Sequence, residues 1–420
     1  MSTISITPVS SVDATVSIPG SKSCTARALV MAGLTRGESV LLEPADCDDT
    51  DYMIGGLRGL SVPVSRDRGT LRIDGRAFVA PGSPLFLGNS GTAVRFLAAA
   101  CATLQGTAVL DGTARMRERP ILDLVDALRA WGVEADTDTA CPPITIGGTG
   151  QFGGKTRVRG GASSQYLTGL LIVAPYATSD VSIQVEGELV SKPYVDLTLA
   201  MMEERGVHAT NKGYSAFHVT AGQQYRPGTY AIEADASGAS YFLAAAAIAG
   251  GRVRVSNLTS RSHQGDAQFA YVLEKMGCEV EEGSDWIEVR SGAALKGIDI
   301  DLNAMPDMAQ TLAVTALFAE GTTTIRNVAN LRIKETDRIS ATATEIRKLG
   351  AAVEEHADGL SITPGSAMHG AAVDTYDDHR MAMSFAMAGL RIPGVAIKDS
   401  ECVSKTFPDF FERFARICTR

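Results

Sequence analysis

Cationic side chains recur in this chain beside short polar or glycine-rich clusters. Lys22 and Arg27, Arg95, Arg119, Lys334 and Arg338, Arg380 and Lys405 all stand next to one. The clusters are Gly20-Ser21-Lys22-Ser23, Gly88-Asn89-Ser90-Gly91-Thr92, Ala162-Ser163-Ser164-Gln165, Asp235-Ala236-Ser237-Gly238-Ala239-Ser240, Pro306-Asp307-Met308-Ala309-Gln310 and Asp377-Asp378-His379-Arg380. Backbone N–H groups with hydroxyl or amide donors, as in the GNSGT and SSQ segments, suit phosphate or carboxylate oxygens. A serine-rich turn is more often only a helix cap, and a lone basic residue is more often a solvated surface charge. Recurrence changes that balance. Lys334 and Arg338 lie four apart at an expected helix start, hence on one face, where basic residues oppose the helix dipole and an anionic ligand would justify them. Arg115, Arg117 and Arg119 alternate, so an extended segment would set them on one face, with Glu118 as a local partner for some. Asp307 and Glu335 are carboxylates in surroundings otherwise built for anions. They are candidates for proton transfer.

Each cluster runs into an apolar, alanine-rich stretch of helical length, and the pattern returns at intervals of about 70 residues. After each stretch the chain turns and enters a β-branched run such as GESVLLEP, GRVRVSNL or GTTTIRNV. A second helix follows, as in Pro120 to Gly132, where Ile121, Leu124, Val125, Leu128 and Trp131 keep the helical period. Short alternating runs close the unit, which reads β-α-β-α-β-β. The sixth unit ends after the helical stretch Phe407 to Ile417 without closing strands, whereas Thr3 to Pro8 and Ala14 to Ile18 are strand-like. The expected organisation is therefore an α/β chain of two domains: 1–18 plus 235–420, and 19–234, with three repeats each. Crossings near Ile18-Pro19 and Glu233-Ala234-Asp235 would form a double hinge.

Composition narrows the function. The chain has 420 residues with 45% hydrophobic and 21% charged residues, a mean hydropathy of +0.05 and a formal charge of −9. Such acidity disfavours nonspecific nucleic-acid binding. No stretch reads as a membrane span or secretory signal, and the expectation is a cytoplasmic protein. Seven scattered cysteines without a C-x-x-C pair suggest reduced thiols, and the six histidines lack metal-site spacing.

The segments PGSKSCTARAL, LGNSGTAVRFL, RMRERPI, SSQYLTGLL, LVSKPYVDLT, DASGASYFLAAAAI, LRIKETDRI, YDDHRMAMSFA and SKTFPDFF span the chain. Together they resemble the 5-enolpyruvylshikimate-3-phosphate synthase (3-phosphoshikimate 1-carboxyvinyltransferase) family of enolpyruvyl transferases. The resemblance implies a two-domain inside-out α/β barrel of six β-α-β-α-β-β repeats with its active site in the interdomain cleft. It implies transfer of the enolpyruvyl group of phosphoenolpyruvate to the 5-hydroxyl of shikimate 3-phosphate through a tetrahedral intermediate, with no metal or organic cofactor. By the same resemblance, shikimate 3-phosphate falls to Lys22, Ser23, Arg27, Ser163, Ser164, Gln165, Ser191, Asp307, Asn330 and Lys334, with Tyr194 nearby. Phosphoenolpyruvate falls to Lys22, Asn89, Gly91, Arg119, Gln165, Arg338, Arg380 and Lys405. Asp307 is expected to accept the hydroxyl proton and Glu335 to protonate the methylene carbon, with Lys22 and His379 assisting. A monomer inhibited by glyphosate is expected.

Two positions depart from the family pattern. Ala26 replaces an Asn or His common before the Arg27 position, and Phe96 stands where Pro or a smaller aliphatic residue is common, close enough in sequence to bear on the Gly91-Thr92 turn. The sister family that uses UDP-N-acetylglucosamine typically carries a reactive loop cysteine, and Gly112 to Pro120 has none. A noncatalytic binder of phosphorylated metabolites is the other alternative, although carboxylates beside an anion bring such a binder no gain.

Overall fold

Small apolar residues all round a helix leave no face suited to water, so such a helix must be enclosed. The computed structural model describes residues 2–292 and 294–418, which fall into two compact units: Gly20–Ile232, and the described residues of 2–19 with those of 233–418. Within 20–232 the alanine-rich stretches form Lys22–Leu34, Gly91–Ala100 and Ser164–Val173, buried almost throughout and packed pairwise. Close approach depends on Gly169, whose added Cβ would lie 3.1 Å from the Arg95 carbonyl oxygen and 3.2 Å from the Ala99 Cβ. In the other unit Ala236–Ala249, Ala309–Thr315 and His379–Ala388 pack likewise. The hydroxyls of Ser240, Thr311 and Ser384 link these three helices at 3.4 and 3.3 Å, so each buried hydroxyl has a partner.

The polar clusters do cap these helices. Side chains of Ser21, Ser90, Ser163, Asp235 and Asp378 accept from the backbone N–H of Cys24, Ala93, Gln165, Gly238 and Arg380. Capping occupies one residue of each cluster and leaves its neighbours at the helix mouth for other work. The fifth cluster differs. Pro306–Met308 is a 3-10 turn ahead of Ala309–Thr315, and Asp307 sends its side chain elsewhere.

One strand order recurs. Leu85–Phe86 runs parallel to Gln105–Asp111, which is antiparallel to Ile144–Thr149, itself antiparallel to Glu134–Asp136. The same order holds for Gly153–Arg159, Ser179–Glu186, Ala216–Val219 and Ala209–Lys212, and for Thr229–Ala231, Gly37–Leu42, Thr70–Gly75 and Val64–Asp67. In the other unit Val12–Val16, Gly251–Val255, Ile287–Ser291 and Glu279–Glu282 repeat it, as do Asp299–Asp301, Thr323–Arg326, Gly359–Thr363 and Ala352–His356. In that unit's third sheet Thr3–Ser5 pairs antiparallel with Ala396–Lys398, which is parallel to Ala372–Val373. Both N-terminal strands therefore complete sheets whose other strands lie between residues 251 and 398. Among the described residues no sheet closes on itself. The closed barrel that the resemblance implied is not what these strands form: the sheets are separate and open.

The sheet that takes Val12–Val16 carries a buried charge network. Glu288 is 0% exposed and accepts from Arg252 at 3.0 Å, Arg254 at 2.7 Å and Arg290 at 2.7 Å, while Arg252 also holds Asp13 at 2.6 Å. Burial works against the Glu288 carboxylate, but the three guanidinium partners outweigh it and its pKa falls. Removing the carboxylate leaves three clustered arginines that are partly hydrated. Glu288→Ala is expected to lower stability by about 1–3 kcal/mol, measured by urea unfolding, with Glu288→Gln losing less.

Candidate active site

In unit 20–232 the three inner helices begin with the candidate residues. Lys22, at the first turn, places Nζ 3.2 Å from Oδ2 of buried Asp49 on the helix Asp48–Gly59. Arg27 lies one turn further and is buried. It donates to the Ser23 carbonyl at 2.9 Å, the Tyr194 carbonyl at 3.0 Å and Thr198 Oγ1 at 2.9 Å. Burial lowers its pKa to about 10, so it remains charged at neutral pH on neutral oxygens. These bonds tie the first helix to the start of Lys192–Glu204, where Ser191 is held in the left-handed region at φ +58°. Phe96 stands about 140° round the helix from Gly91 and one turn from Thr92, and the Arg27 guanidinium carbon lies 5.5 Å from its ring centroid.

Arg119 donates to the carbonyl and Oδ1 of Asn89, both at 3.1 Å. Arg95 donates to Gln165 Oε1 at 2.8 Å and to the Pro120 carbonyl at 3.2 Å, while Gln165 Nε2 donates to Thr92 Oγ1 at 3.3 Å. Arg95 thus fixes Gln165 beside the GNSGT turn. Its cation was legible beside that cluster, but its role as a strut depends on Gln165, 70 positions away. Gly91 is enclosed by this pair of arginines: an added Cβ would lie 2.5 Å from Arg95 Nη1 and 2.6 Å from Arg119 Nη2. Ser163 and Ser164 are buried at the third helix mouth. The three alternating arginines do not share a face. Met116–Glu118 is a 3-10 turn, Arg115 pairs with Glu118 at 2.8 Å, Arg117 with Asp111 at 2.5 Å, and Arg119 alone turns inward.

In the other unit the centre is Arg338, 2% exposed. It donates through Nε and Nη2 to both oxygens of buried Asp378 at 2.7 and 3.2 Å, through Nη1 to Asp307 at 3.0 Å, and through Nη2 to Glu335 at 2.9 Å. Burial opposes its charge, yet Asp378, Glu335 and Asp307 together raise its pKa. Arg380 donates to the second oxygen of Asp307 at 2.8 Å, to Tyr241 Oη at 3.1 Å and to Ser237 Oγ at 3.2 Å. Asp307 therefore bridges two guanidinium groups. Lys405, closing the turn Ser400–Lys405, brings Nζ to 4.0 Å from Glu335.

Lys334 and Arg338 do not share a helix face. Asp337 accepts from the Ser340 N–H and starts the helix at Arg338, leaving Lys334 at the end of the 3-10 turn Ala329–Ile333, which also holds buried Asn330. Asp378 and Asp49 were not singled out from sequence. Their partners lie 40 and 27 positions away (378 − 338 and 49 − 22), so no local spacing marks them. His379 is buried, with Nδ1 3.6 Å from Asp378 and no hydrogen bond to either ring nitrogen. Cys101 is also buried, and its thiol is pushed up to about 12 by burial. Among the described residues no cluster of His, Cys, Asp and Glu is placed to hold a metal ion, and no helix is long and apolar enough to cross a membrane.

The fold is α/β, with buried arginines and carboxylates at helix starts, a set of side chains suited to anionic ligands. Comparison with known proteins makes this specific. The profile of EPSP synthase (3-phosphoshikimate 1-carboxyvinyltransferase) matches residues 6–414. The 3-phosphoshikimate 1-carboxyvinyltransferases of Shewanella pealeana and Photobacterium profundum are 49% and 48% identical, over 99% of this chain and 99% of each relative. An EPSP synthase structure from Acinetobacter baumannii aligns with a TM-score of 0.84 at 26% identity, covering 100% of this chain and 98% of that one. The chain belongs to the EPSP synthase family.

His379 has a consequence for stability. Burial first, then the neighbouring Arg380, Arg338 and Lys405, depress its pKa well below the usual value, while Glu335 opposes them. As pH falls through about 6.5 the unfolded state takes up this proton and the folded state does not, so stability present above that pH is lost below it. Between about pH 6.5 and 5.5 the urea-unfolding free energy of the wild type should fall further than that of His379→Gln, by about 1 kcal/mol. Equal slopes would show that the ring protonates in place.

Proposed function

We propose that this chain transfers the enolpyruvyl group of phosphoenolpyruvate to the 5-hydroxyl of shikimate 3-phosphate and releases phosphate, a step of the shikimate pathway to aromatic amino acids. Family membership supports the reaction. The observation that carries the chemistry is Asp307, held between Arg338 and Arg380, with Glu335 on the same Arg338 guanidinium. A site that must bind two substrates, each bearing phosphate and carboxylate, needs several cations, and charge-assisted hydrogen bonds of about 1.5–3 kcal/mol each would anchor them. A carboxylate can serve there as a base only if it is fixed in direction and kept from displacing the substrate. Two guanidinium bonds to opposite oxygens of Asp307 fix that direction.

In this reading Asp307 takes the 5-hydroxyl proton as the hydroxyl oxygen bonds to C2 of phosphoenolpyruvate, and Glu335 delivers a proton to the methylene carbon. The tetrahedral ketal phosphate then loses phosphate and a methyl proton, restoring the double bond. Lys22 and His379 assist the proton traffic, His379 through its neutral ring. Shikimate 3-phosphate is bound by Lys22, Ser23, Arg27, Ser163, Ser164, Gln165, Ser191, Tyr194, Asp307, Asn330 and Lys334. Phosphoenolpyruvate is bound by Lys22, Asn89, Gly91, Arg119, Gln165, Arg338, Arg380 and Lys405. We read the recurrent sheet order as six β-α-β-α-β-β repeats in an inside-out arrangement, three in each of the domains 1–18 plus 235–420 and 19–234. We place the enzyme in the cytoplasm as a monomer.

The decisive assay is phosphate release from phosphoenolpyruvate with shikimate 3-phosphate and, separately, UDP-N-acetylglucosamine as acceptor. Release with shikimate 3-phosphate alone, with kcat reduced about 10²–10⁴-fold in Asp307→Ala, is expected. Release with the sugar nucleotide would assign the sister activity. Tight binding of both shikimate pathway substrates without release, unchanged in Asp307→Ala, would make the chain a binding protein.

Glyphosate is expected to compete with phosphoenolpyruvate. In Gly91→Ala the new methyl must displace the Arg95 and Arg119 guanidinium ends, so KM for phosphoenolpyruvate should rise and glyphosate inhibition weaken. Absence of competition at millimolar glyphosate would reject glyphosate inhibition and point to Phe96.

A further inference from the structure

The segment that presents Asp378, His379 and Arg380 is a turn built against its own preferences. The Asp378 N–H donates to the Thr375 carbonyl at 2.9 Å, closing a tight turn whose central residues, Tyr376 and Asp377, both lie at positive φ, +56° and +54°. Glycine or asparagine ordinarily fills such positions, because a Cβ is strained there. A strained turn at the mouth of a helix persists only where surrounding contacts over-determine it.

Those contacts converge on Glu345, a buried carboxylate two turns along the helix that Arg338 begins. Glu345 Oε1 accepts from the Tyr376 hydroxyl at 2.6 Å and from Lys348 Nζ at 2.8 Å, and Oε2 accepts from the Asp374 N–H at 3.2 Å. Lys348 and Lys398 in turn hold the Asp374 side chain at 2.6 and 2.8 Å. The helix Arg338–Lys348 is thus fastened to the same segment at both ends: by Arg338 to Asp378, and by Glu345 to Asp374 and Tyr376. Arg338 alone cannot fix the turn, since a bidentate pair leaves the chain before Asp378 free to unwind.

We infer that Glu345 is a positioning residue for the phosphoenolpyruvate-handling arginines, acting through Tyr376 to lock the strained turn that aims Asp378 and Arg380. The inference rests on the proposed reaction for its kinetic consequence and on geometry alone for its structural one. Tyr376→Phe removes a single hydroxyl at the unit's surface and retains the ring, and Glu345→Gln preserves volume. Amide hydrogen exchange should quicken in the peptide spanning residues 374–382 of both variants, with exchange elsewhere unchanged. KM for phosphoenolpyruvate should rise about five- to tenfold, as loss of one hydrogen bond to a charged group allows, while KM for shikimate 3-phosphate changes little. The double variant should be no worse than the poorer single one, because both act through the same bond. Unchanged exchange at 374–382 in both variants overturns the inference whatever the activity of the wild type. Quickened exchange with unchanged KM for phosphoenolpyruvate in an active enzyme also overturns it, by making the network structural only. A wild type without phosphate release fails the proposed reaction instead, and exchange still decides whether Glu345 holds the turn.

Discussion

A guanidinium group can leave water only if its donors find acceptors, and this chain buries several at the mouths of its helices. Everything around Arg338 follows from that requirement. Three carboxylates converge on it, a second arginine shares one of them, and the turn that brings Asp378 into place is held from the far end of Arg338's own helix. The price is conformational strain at Tyr376 and Asp377.

The unit 20–232 meets the same requirement differently. Arg27 has neutral partners, two carbonyls and a hydroxyl, over the Phe96 ring, and its pKa falls. Arg338 has anionic partners and its pKa rises. A cation balanced only by dipoles favours an incoming anion strongly, while one already neutralised by carboxylates is suited to orienting them. Both arginines are held by enclosed helices that cannot rotate without breaking a well-filled interior.

The alanine-rich helices and the strand pairs were legible because they depend on composition and period over short distances. So were the helix-mouth clusters, although five of them also proved to be caps. Misreadings came where one short contact decides direction. Asp337 caps Ser340 and starts the helix four residues after Lys334, and a 3-10 turn at Met116–Glu118 scatters three arginines that alternate in sequence. Spacing predicts a shared face only after the type of element is fixed.

By itself the sequence determined which residues were candidates for binding anions and which carboxylates stood among them. Its motifs also carried the family resemblance. Only the tertiary structure decided the partners: that Asp378 and Asp49 neutralise Arg338 and Lys22, that Arg95 is a strut for Gln165, and that Glu345 braces a strained turn. The physical reason is range. Helical period, turn chemistry and capping act over a few residues, whereas buried charges are paired by whatever distant segment packing brings within about 3 Å, where a charge-assisted hydrogen bond forms.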